Sequence, residues 1–255
     1  MPTILRVWNS FVDRLSGSRL DAPARKIYRR VRSNKMSPLE RRNRDYDELT
    51  VSIIRRVMER DSNSVDAGAH RGYFTRHLVR SAPRGSHLAF EPIPELAEAL
   101  RRSVPAASVF AAALSDRDGE ATFHYLPGKA AQSSLLTRPA RERGEQVVAL
   151  TVPTMRLDTM YPKDAPLTLM KVDVEGAEVE LFSGARETLA RCCPVVLFEC
   201  DPPQLAAAAS VLADAGLHVY LAHDFLPDRR RSHDEVTEKA LADGEWFFAA
   251  RALDA

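Results

Sequence analysis

From Val65 onward, short apolar runs alternate with stretches in which apolar residues recur at helical spacing. The runs that predict buried strands are SHLAF (86–90), ASVFA (107–111), LTLMKV (167–172), PVVLFE (194–199) and LHVYLA (217–222). Residues 95–102, 176–191 and 203–215 have the spacing of amphipathic helices. Because such alternation is typical of a parallel sheet with helices on both faces, the pattern predicts an α/β fold.

Three stretches depart from this alternation. WFFAAR (246–251) is not followed by a helix, so we expect a final strand that runs antiparallel at or near the sheet edge. EATFHYL (120–126) and QVVALTV (146–152) are expected to pair as a hairpin. The polar loop that joins them is long enough to cover a site or to bind an acceptor.

The first 44 residues differ from the rest of the chain in charge. They hold twelve Lys or Arg and three Asp or Glu, which gives +9, whereas the whole chain carries +1. A basic amphipathic helix is predicted here, because apolar residues recur at Ile4, Leu5, Trp8, Phe11, Val12 and Leu15. Its apolar face is expected to pack on the main domain or on a second copy in a homodimer. The alternative is peripheral contact of residues 1–44 with an anionic membrane surface.

A second helix is expected from Ser37, where Ser-Pro-Leu-Glu has the form of a capping box with Pro at the first helical position. Its apolar stripe consists of Tyr46, Leu49, Ile53, Ile54 and Val57. We therefore divide the chain into a basic helical arm over residues 1–45 and one domain over residues 46–255.

Cysteine usage and hydropathy indicate a cytoplasmic protein. The three cysteines, Cys192, Cys193 and Cys200, do not form a disulfide framework, because two of them are adjacent, and no spacing suits zinc. No stretch approaches the ~20 apolar residues of a membrane span, and the start lacks a secretory signal. Attachment at the inner face of the membrane is the alternative for the arm.

The segment SVDAGAHRGYFT (64–75) has the pattern of a turn that lies against a cofactor. Asp66 is expected at a strand end, with Gly68 and Gly72 in the turn, where the absence of a side chain lets a ligand approach the backbone. The segment lacks G-x-G-x-x-G, which disfavours a nicotinamide dinucleotide. Glu91 is expected at the end of the second strand, where a carboxylate binds ribose hydroxyls.

Five segments in this order resemble the FkbM family of S-adenosylmethionine-dependent methyltransferases. They are VDAGAHRGYFT, AFEPIPE, AAALSDRDGEATF, RLDTM and MKVDVEGAEVELFSGARETL, of which KVDVEGAE is the most specific. The resemblance covers about residues 46–200 and implies a class I, Rossmann-like methyltransferase domain over residues 46–255, with a seven-stranded, mostly parallel sheet. It implies transfer of a methyl group from S-adenosylmethionine to a hydroxyl of a sugar, glycan or secondary metabolite.

The resemblance also implies which residues bind the donor. The glycine turn matches the part that holds the methionine moiety, Glu91 matches the ribose ligand, and residues 113–115 match the region beside the adenine. The implied cofactor contacts are Asp66, Gly68, Ala69, Gly72, Glu91, Pro92, Leu114, Ser115 and Asp173. For His70 we expect a side chain that points to solvent.

The charged end of LTLMKVDVEGAE is expected beside the cofactor, because ligands of open parallel sheets lie at the carboxyl ends of the strands. Strand alternation places Lys171 and Asp173 on one side of the chain. We expect Asp173 near the sulfonium or the acceptor hydroxyl; the alternative is a salt bridge with Lys171 that makes both residues architectural. Glu175 and Glu178 are expected in the first turn of the next helix, where they suit the macrodipole.

Activation of an acceptor hydroxyl requires a group that takes its proton. The candidate catalytic residues are His223, Lys171 and Asp173. The alternative is a divalent metal held by Asp173, Glu199 and Asp201, but metal-free transfer is favoured, because three carboxylates do not by themselves require an ion.

The sequence features bear on three candidate functions. The favoured one is an O-methyltransferase that acts on a small-molecule or glycan acceptor. The alternative is a cofactor-binding partner without turnover in a biosynthetic assembly. Nucleic acid is not expected as a partner, because the Asp/Asn-Pro-Pro-Tyr motif is absent after the fourth strand and the basic residues are confined to the arm.

Overall fold

The computed structural model describes residues 37–125 and 148–253. The expectations for a basic amphipathic helix near the start of the chain, with its packing or membrane contact, and for the loop within residues 126–147 therefore fall outside the described residues. The chain divides into two compact units between Glu48 and Leu49.

Ten strands and nine helices occur in the described residues. The strands are β1 (Ser64–Ala67), β2 (His87–Phe90), β3 (Ser108–Phe110), β4 (Ala113–Leu114), β5 (Gly119–Tyr125), β6 (Val148–Met155), β7 (Leu169–Val172), β8 (Val195–Glu199), β9 (His218–Leu221) and β10 (Phe247–Arg251). The helices are α1 (Pro38–Val57), α2 (Tyr73–Ser81), α3 (Pro94–Ser103), α4 (Leu157–Met160), α5 (Glu178–Ser183), α6 (Arg186–Cys192), α7 (Pro202–Asp214), α8 (Ala222–Phe225) and α9 (His233–Asp243).

The capping box that the sequence predicts at Ser37 is present at the start of α1. The N–H of Glu40 donates to Ser37 Oγ at 3.2 Å, and the N–H of Ser37 donates to Glu40 Oε2 at 2.7 Å. In the second unit, Ile53 and Ile54 are fully buried. The predicted apolar stripe therefore has its buried centre at these two residues.

Seven strands form one sheet in the order β3-β2-β1-β7-β8-β10-β9. All neighbouring pairs in it are parallel except those of β10, which runs antiparallel to β8 and to β9. The prediction of a mostly parallel sheet with a last, antiparallel strand near the edge is confirmed. A second sheet, β4-β6-β5, contains the predicted hairpin, in which Phe123 lies opposite Leu150.

The predicted helix over residues 176–191 is wrong, because two helices, α5 and α6, occupy this region. A Cβ on Gly184, between them, would lie 1.9 Å from the carbonyl oxygen of Ser115, so the chain passes too close for a side chain. The buried carboxylate of Asp158 accepts the N–H groups of Glu187 at 3.0 Å and of Thr188 at 2.8 Å. In a continuous helix these two N–H groups would bond to carbonyls of the preceding turn. Here Asp158 satisfies them, so that a new helix, α6, begins at Arg186.

Helix α9 was not expected from the sequence, although its start carries a signal. Ser232 accepts the N–H of Glu235, and the Glu235 carboxylate accepts the N–H of Ser232, which completes a capping box. Among the described residues, no helix is long and apolar enough to cross a membrane.

Candidate functional site

The carboxyl ends of the central parallel strands meet at one edge of the large sheet. Asp66 of β1 is level with Lys171 of β7, and Lys171 is level with Leu197 of β8. The residues that follow β2, β7 and β8 are Glu91, Asp173 and Cys200, and Glu199 ends β8. Acidic side chains predicted from separate motifs therefore come together where ligands of such sheets bind.

The turn after β1 is held tightly between two other strand ends. The N–H groups of Gly68 and Ala69 both donate to the carbonyl of Phe90 at 2.9 Å, and the N–H of Asp173 donates to the carbonyl of Ala67 at 2.9 Å. Gly68 has φ of +79°, and a Cβ there would lie 1.8 Å from the backbone oxygen of Asp173. Both the left-handed conformation and the close approach require glycine at this position.

Gly72 ends the turn and stands at the N-cap of α2 with φ of +74°. Because glycine has no side chain, Gly72 does not cap the first N–H groups of α2. The N-terminal end of a helix favours anionic groups. His70, between the glycines, has φ of +49° and is partly buried, and the expectation that its side chain points to solvent stays a prediction. Burial is the largest cause that lowers the pKa of His70, and the charge of Arg71 adds to it. The charge of Asp173 acts in the opposite direction.

Glu91 joins the turn to the end of β2. Its side chain is buried, Oε2 accepts the N–H of His70 at 2.7 Å, and Oε1 accepts the N–H of Ile93 at 2.9 Å. Burial raises the pKa of Glu91 to about 7; these two N–H donors oppose the shift, and the charges of Asp66 and Asp173 add to it. Each oxygen keeps capacity for a further hydrogen bond, which ribose hydroxyls would supply. The ribose contact itself stays a prediction.

Asp66 lies beneath the turn. Its carboxylate is buried and accepts the hydroxyl of Thr75 at 2.5 Å. Burial raises the pKa of Asp66, and the Thr75 hydrogen bond and the charge of Lys171 partly offset that effect. The carboxylate therefore fastens α2 to β1, and its contact with the cofactor stays a prediction.

Lys171 is enclosed by acidic groups. Its side chain is 1% exposed, with Nζ 3.6 Å from Asp173 Oδ2 and 3.9 Å from Glu199 Oε1. The same nitrogen lies 5.1 Å from the centre of the Phe74 ring. The Lys171–Asp173 salt bridge, the alternative left open from the sequence, is confirmed.

This environment does not favour the predicted role of Lys171 as a proton acceptor. Burial by itself lowers the pKa of Lys171, but the charges of Asp173, Glu199 and Asp66 outweigh it, so the pKa is raised. The ammonium group is therefore protonated at neutral pH and has no lone pair with which to take a proton. Lys171 instead offsets the negative charge of the carboxylates around it.

Asp173 directly follows β7, and its side chain is partly exposed. The side chain of Asp173 is 33% exposed, whereas that of Lys171 is only 1% exposed. Its charge affects the pKa of Asp66, His70, Lys171 and Glu91, so it lies at the electrostatic centre of the site. Within residues 37–125 and 148–253, no group of three or more His, Cys, Asp or Glu is arranged to hold a metal ion.

His223 is not brought together with Asp173. It lies on α8 after β9, three strand positions from β7 in the sheet order, which corresponds to about 14 Å. Its side chain is 46% exposed, with Nε2 3.7 Å from Asp224 Oδ1. A direct role for His223 as the base beside Asp173 therefore has no support from the topology.

The residues implied to lie beside the adenine are buried near the ends of β2 and β4. Leu114 and Ser115 are buried, as are Pro92 and Ala69, and the N–H of Ser115 donates to the carbonyl of Met155 at 3.0 Å. The rings of Phe90 and Phe110 stack with centroids 5.0 Å apart. Their contacts with the cofactor stay predictions.

The sequence did not predict the positions of two residues of the site. Thr75, which bonds Asp66, carried no signal beyond its place in the motif VDAGAHRGYFT. Glu175 has φ of +56° and precedes α5, so its expected position in the first turn of the helix is wrong. Glu178 does begin α5, but it is buried and not at the solvent-exposed surface of that turn.

The residues present fit a nucleoside-containing methyl donor. The glycine turn packs directly against the backbone of Asp173 after β7, and the buried carboxylate of Glu91 stands at the end of β2. Asp173 adds a partly exposed carboxylate beside them. A mostly parallel, seven-stranded sheet with this arrangement at its carboxyl edge defines a class I methyltransferase domain.

The sequence matches the methyltransferase FkbM domain over residues 66–237, so the chain belongs to the FkbM methyltransferase family. S-adenosylmethionine is the methyl donor of this domain. The glycine turn, Glu91 and Asp173 all lie inside the range that matches the family, residues 66–237.

Individual relatives agree with this family. Methyltransferase sdnD of Sordaria araneosa is 30% identical over 155 residues, which cover 48% of this chain and 60% of that protein. The 2-O-methyltransferase NoeI of Sinorhizobium fredii is 27% identical over 154 residues, which cover 54% of this chain and 63% of that protein. The chain thus spans less than two thirds of the length of each of these relatives.

A crystal structure of methyltransferase FkbM from Methylobacillus flagellatus is also similar. It has a TM-score of 0.43 and 14% identity, and the match covers 76% of this chain and 44% of that one. A likeness at this score is too weak to support a conclusion beyond the family match.

Proposed function

We propose that this protein is an O-methyltransferase that transfers a methyl group from S-adenosylmethionine to a hydroxyl of a sugar, glycan or secondary metabolite. The observation that carries the proposal is the partly exposed carboxylate of Asp173 at the end of β7, beside the glycine turn. The similarity to NoeI, a 2-O-methyltransferase, supports oxygen as the methylated atom.

The chain's own residues divide the work between holding the donor and preparing the acceptor. When bound, S-adenosylmethionine supplies an electrophilic methyl group on a positively charged sulfur. The turn at Gly68 and Gly72, together with Glu91, would hold it. Asp173 accepts a hydrogen bond from the acceptor hydroxyl and aligns its oxygen, and such positioning can supply much of the rate.

Lys171 supports this role of Asp173. Its ammonium lies 3.6 Å from Asp173 Oδ2 and orients that carboxylate. The other Asp173 oxygen is left for the acceptor, because the salt bridge involves Oδ2. An ionised carboxylate at this place is a hydrogen-bond acceptor only, as alcohol activation requires.

Comparing strains with and without the gene tests the proposed function. Untargeted mass spectrometry of metabolites and glycans should find a product that lacks the mass of one CH2 group in the deletion strain. Fragmentation should place the missing methyl on oxygen. Methyl loss from nitrogen or carbon would contradict O-methylation, and an unchanged profile would favour the non-catalytic alternative.

Donor binding gives a prediction that requires no acceptor. S-adenosylhomocysteine should raise the melting temperature of the purified protein by mass action, whereas NAD should not. Glu91→Ala should weaken S-adenosylhomocysteine binding by about 1–3 kcal/mol, because it removes a charged hydrogen-bond acceptor. Isothermal titration calorimetry measures both affinities.

The matched control for this prediction is Glu98→Ala on α3. Glu98 is exposed and pairs with Arg101 and Arg102, away from the turn. Its replacement should leave the affinity unchanged. If Glu91→Ala also binds with the wild-type affinity, Glu91 is not a ribose ligand.

A further inference from the structure

Glu178 is a buried carboxyl group of the DVEGAE turn whose two oxygens differ in their surroundings. Its side chain is 1% exposed. Oε1 accepts the N–H of Gly176 at 2.9 Å, whereas Oε2 is buried and has no hydrogen-bond partner among the described residues. A capping role for Glu178 requires only Oε1, so it does not explain why Oε2 is buried without a hydrogen-bond partner.

The charged groups that shift the pKa of Glu178 come from two segments, and both disfavour a negative charge there. Asp173 follows β7, and Asp201 precedes α7. No cation among the groups that shift the pKa of Glu178 compensates for them. A proton on Glu178 therefore relieves both the burial of its charge and the repulsion from neighbouring acids.

The pKa of Glu178 follows from these surroundings. Burial raises it from its ordinary 4.5 to about 7, the N–H groups of Gly176 and of Glu178 itself oppose the shift, and Asp173 and Asp201 add to it. A carboxyl group with such a pKa gains and loses a proton near neutral pH, as proton-transfer groups must. Asp173, in contrast, is paired with the ammonium group of Lys171 at 3.6 Å.

We propose that Glu178 is a positioning residue for the reaction, whose buried carboxylate receives, by way of Asp173, the proton released by the acceptor hydroxyl. This inference rests on the proposed O-methylation. The acceptor O–H bond breaks as its oxygen bonds the methyl carbon, and the electron pair of the broken sulfur–carbon bond stays on sulfur. The proton passes from oxygen to Asp173 and then to Glu178, which later releases it to solvent.

The first experiment requires no acceptor and no donor. Glu178→Gln keeps the oxygen that accepts the Gly176 N–H but cannot titrate. In the wild-type protein the folded state holds this proton up to about pH 7, whereas the unfolded chain loses it near 4.5, so the contribution to stability is full below 4.5 and is lost as pH rises to 7. The wild-type melting temperature should therefore fall relative to that of Glu178→Gln, by about 5 °C between pH 5 and pH 8.

Glu91 has a similar pKa, but its contribution cancels because it is present in both proteins. Glu187→Gln is the matched control: Glu187 is exposed on α6 and pairs with Lys163 at 2.8 Å. It should follow the wild-type pH dependence. A melting-temperature difference between wild type and Glu178→Gln that does not change with pH would overturn the inference.

The second experiment uses the hydroxyl acceptor that the mass-spectrometric comparison identifies. For the wild type, kcat/KM should rise with pH to a plateau above about pH 7, whereas Glu178→Gln should lose this rise and be slower by about 100-fold. S-adenosylhomocysteine affinity should stay unchanged in the variant. Glu187→Gln should keep both the rate and the profile.

The outcomes separate the inference from the proposed function. If the hydroxyl is methylated and Glu178→Gln keeps the wild-type rate and pH profile, Glu178 is a capping residue and only the inference fails. If methylation occurs on nitrogen or carbon, the proposed function fails and the proton transfer from a hydroxyl fails with it. The unfolding experiment then still reports the titration of Glu178 itself.

Discussion

Asp173→Asn should lower kcat/KM for methyl transfer by about 100-fold or more, while the protein stays folded and still binds S-adenosylhomocysteine. The amide is nearly isosteric with the carboxylate, but it is neutral and cannot take the proton of the acceptor hydroxyl. Lys171 retains Glu199 at 3.9 Å as a second acidic partner, which preserves part of the local charge balance. Steady-state kinetics with the identified acceptor measures the loss.

Asp164→Asn is the control for this substitution, because Asp164 is exposed in the loop before β7. It should keep wild-type kinetics. EDTA should also leave wild-type turnover unchanged. Loss of activity in EDTA with recovery in Mg²⁺ or Mn²⁺ would instead assign Asp173, Glu199 and Asp201 to a metal, and full activity of Asp173→Asn would make the Lys171–Asp173 pair purely architectural.

Gly68→Ala should destabilise the protein by about 3 kcal/mol and weaken S-adenosylhomocysteine binding by about tenfold or more. Two effects combine at this residue. Its φ of +79° is strained for alanine, and the new Cβ would lie 1.8 Å from the backbone oxygen of Asp173. Because that oxygen belongs to the main chain, the clash moves the turn or the end of β7.

Gly216→Ala separates the two effects. Gly216 has φ of +82°, nearly that of Gly68, but a Cβ there would have no neighbour within 4 Å. This control should lose about 1 kcal/mol from the backbone conformation alone and keep donor affinity. Thermal unfolding and calorimetry compare the two variants, and equal losses in both would show that the approach to Asp173 has no consequence for the site.

The sequence was sufficient for the main sheet. Buried strands such as LTLMKV and PVVLFE are short apolar runs bounded by helical patterns, and the structure has β7 and β8 there. The last strand was recognisable because no helix follows WFFAAR, and β10 is antiparallel. These features follow from local hydrophobic periodicity, which is written directly in the chain.

Helix continuity could not be read in the same way. Residues 176–191 have one helical pattern, but Asp158 and Ser115, far away in sequence, impose a break at Gly184. The start of α9 shows the opposite case, since its capping box was local and could have been recognised. Long-range contacts override local propensity where a polar group caps a new helix end.

The candidate site, too, was predictable from the sequence only where its features depend on local motifs. The sequence by itself determined the family, the glycine turn, the acidic residues at the ends of β2 and β7, and the nearness of Lys171 to Asp173, because these depend on motifs and on strand alternation. Only the tertiary structure decided the charge state of Lys171, the separation of His223 from the site and the burial of Glu178. Each of these depends on which groups from other strands surround a side chain, and desolvation and Coulomb interactions, which control its protonation, are properties of that assembled neighbourhood.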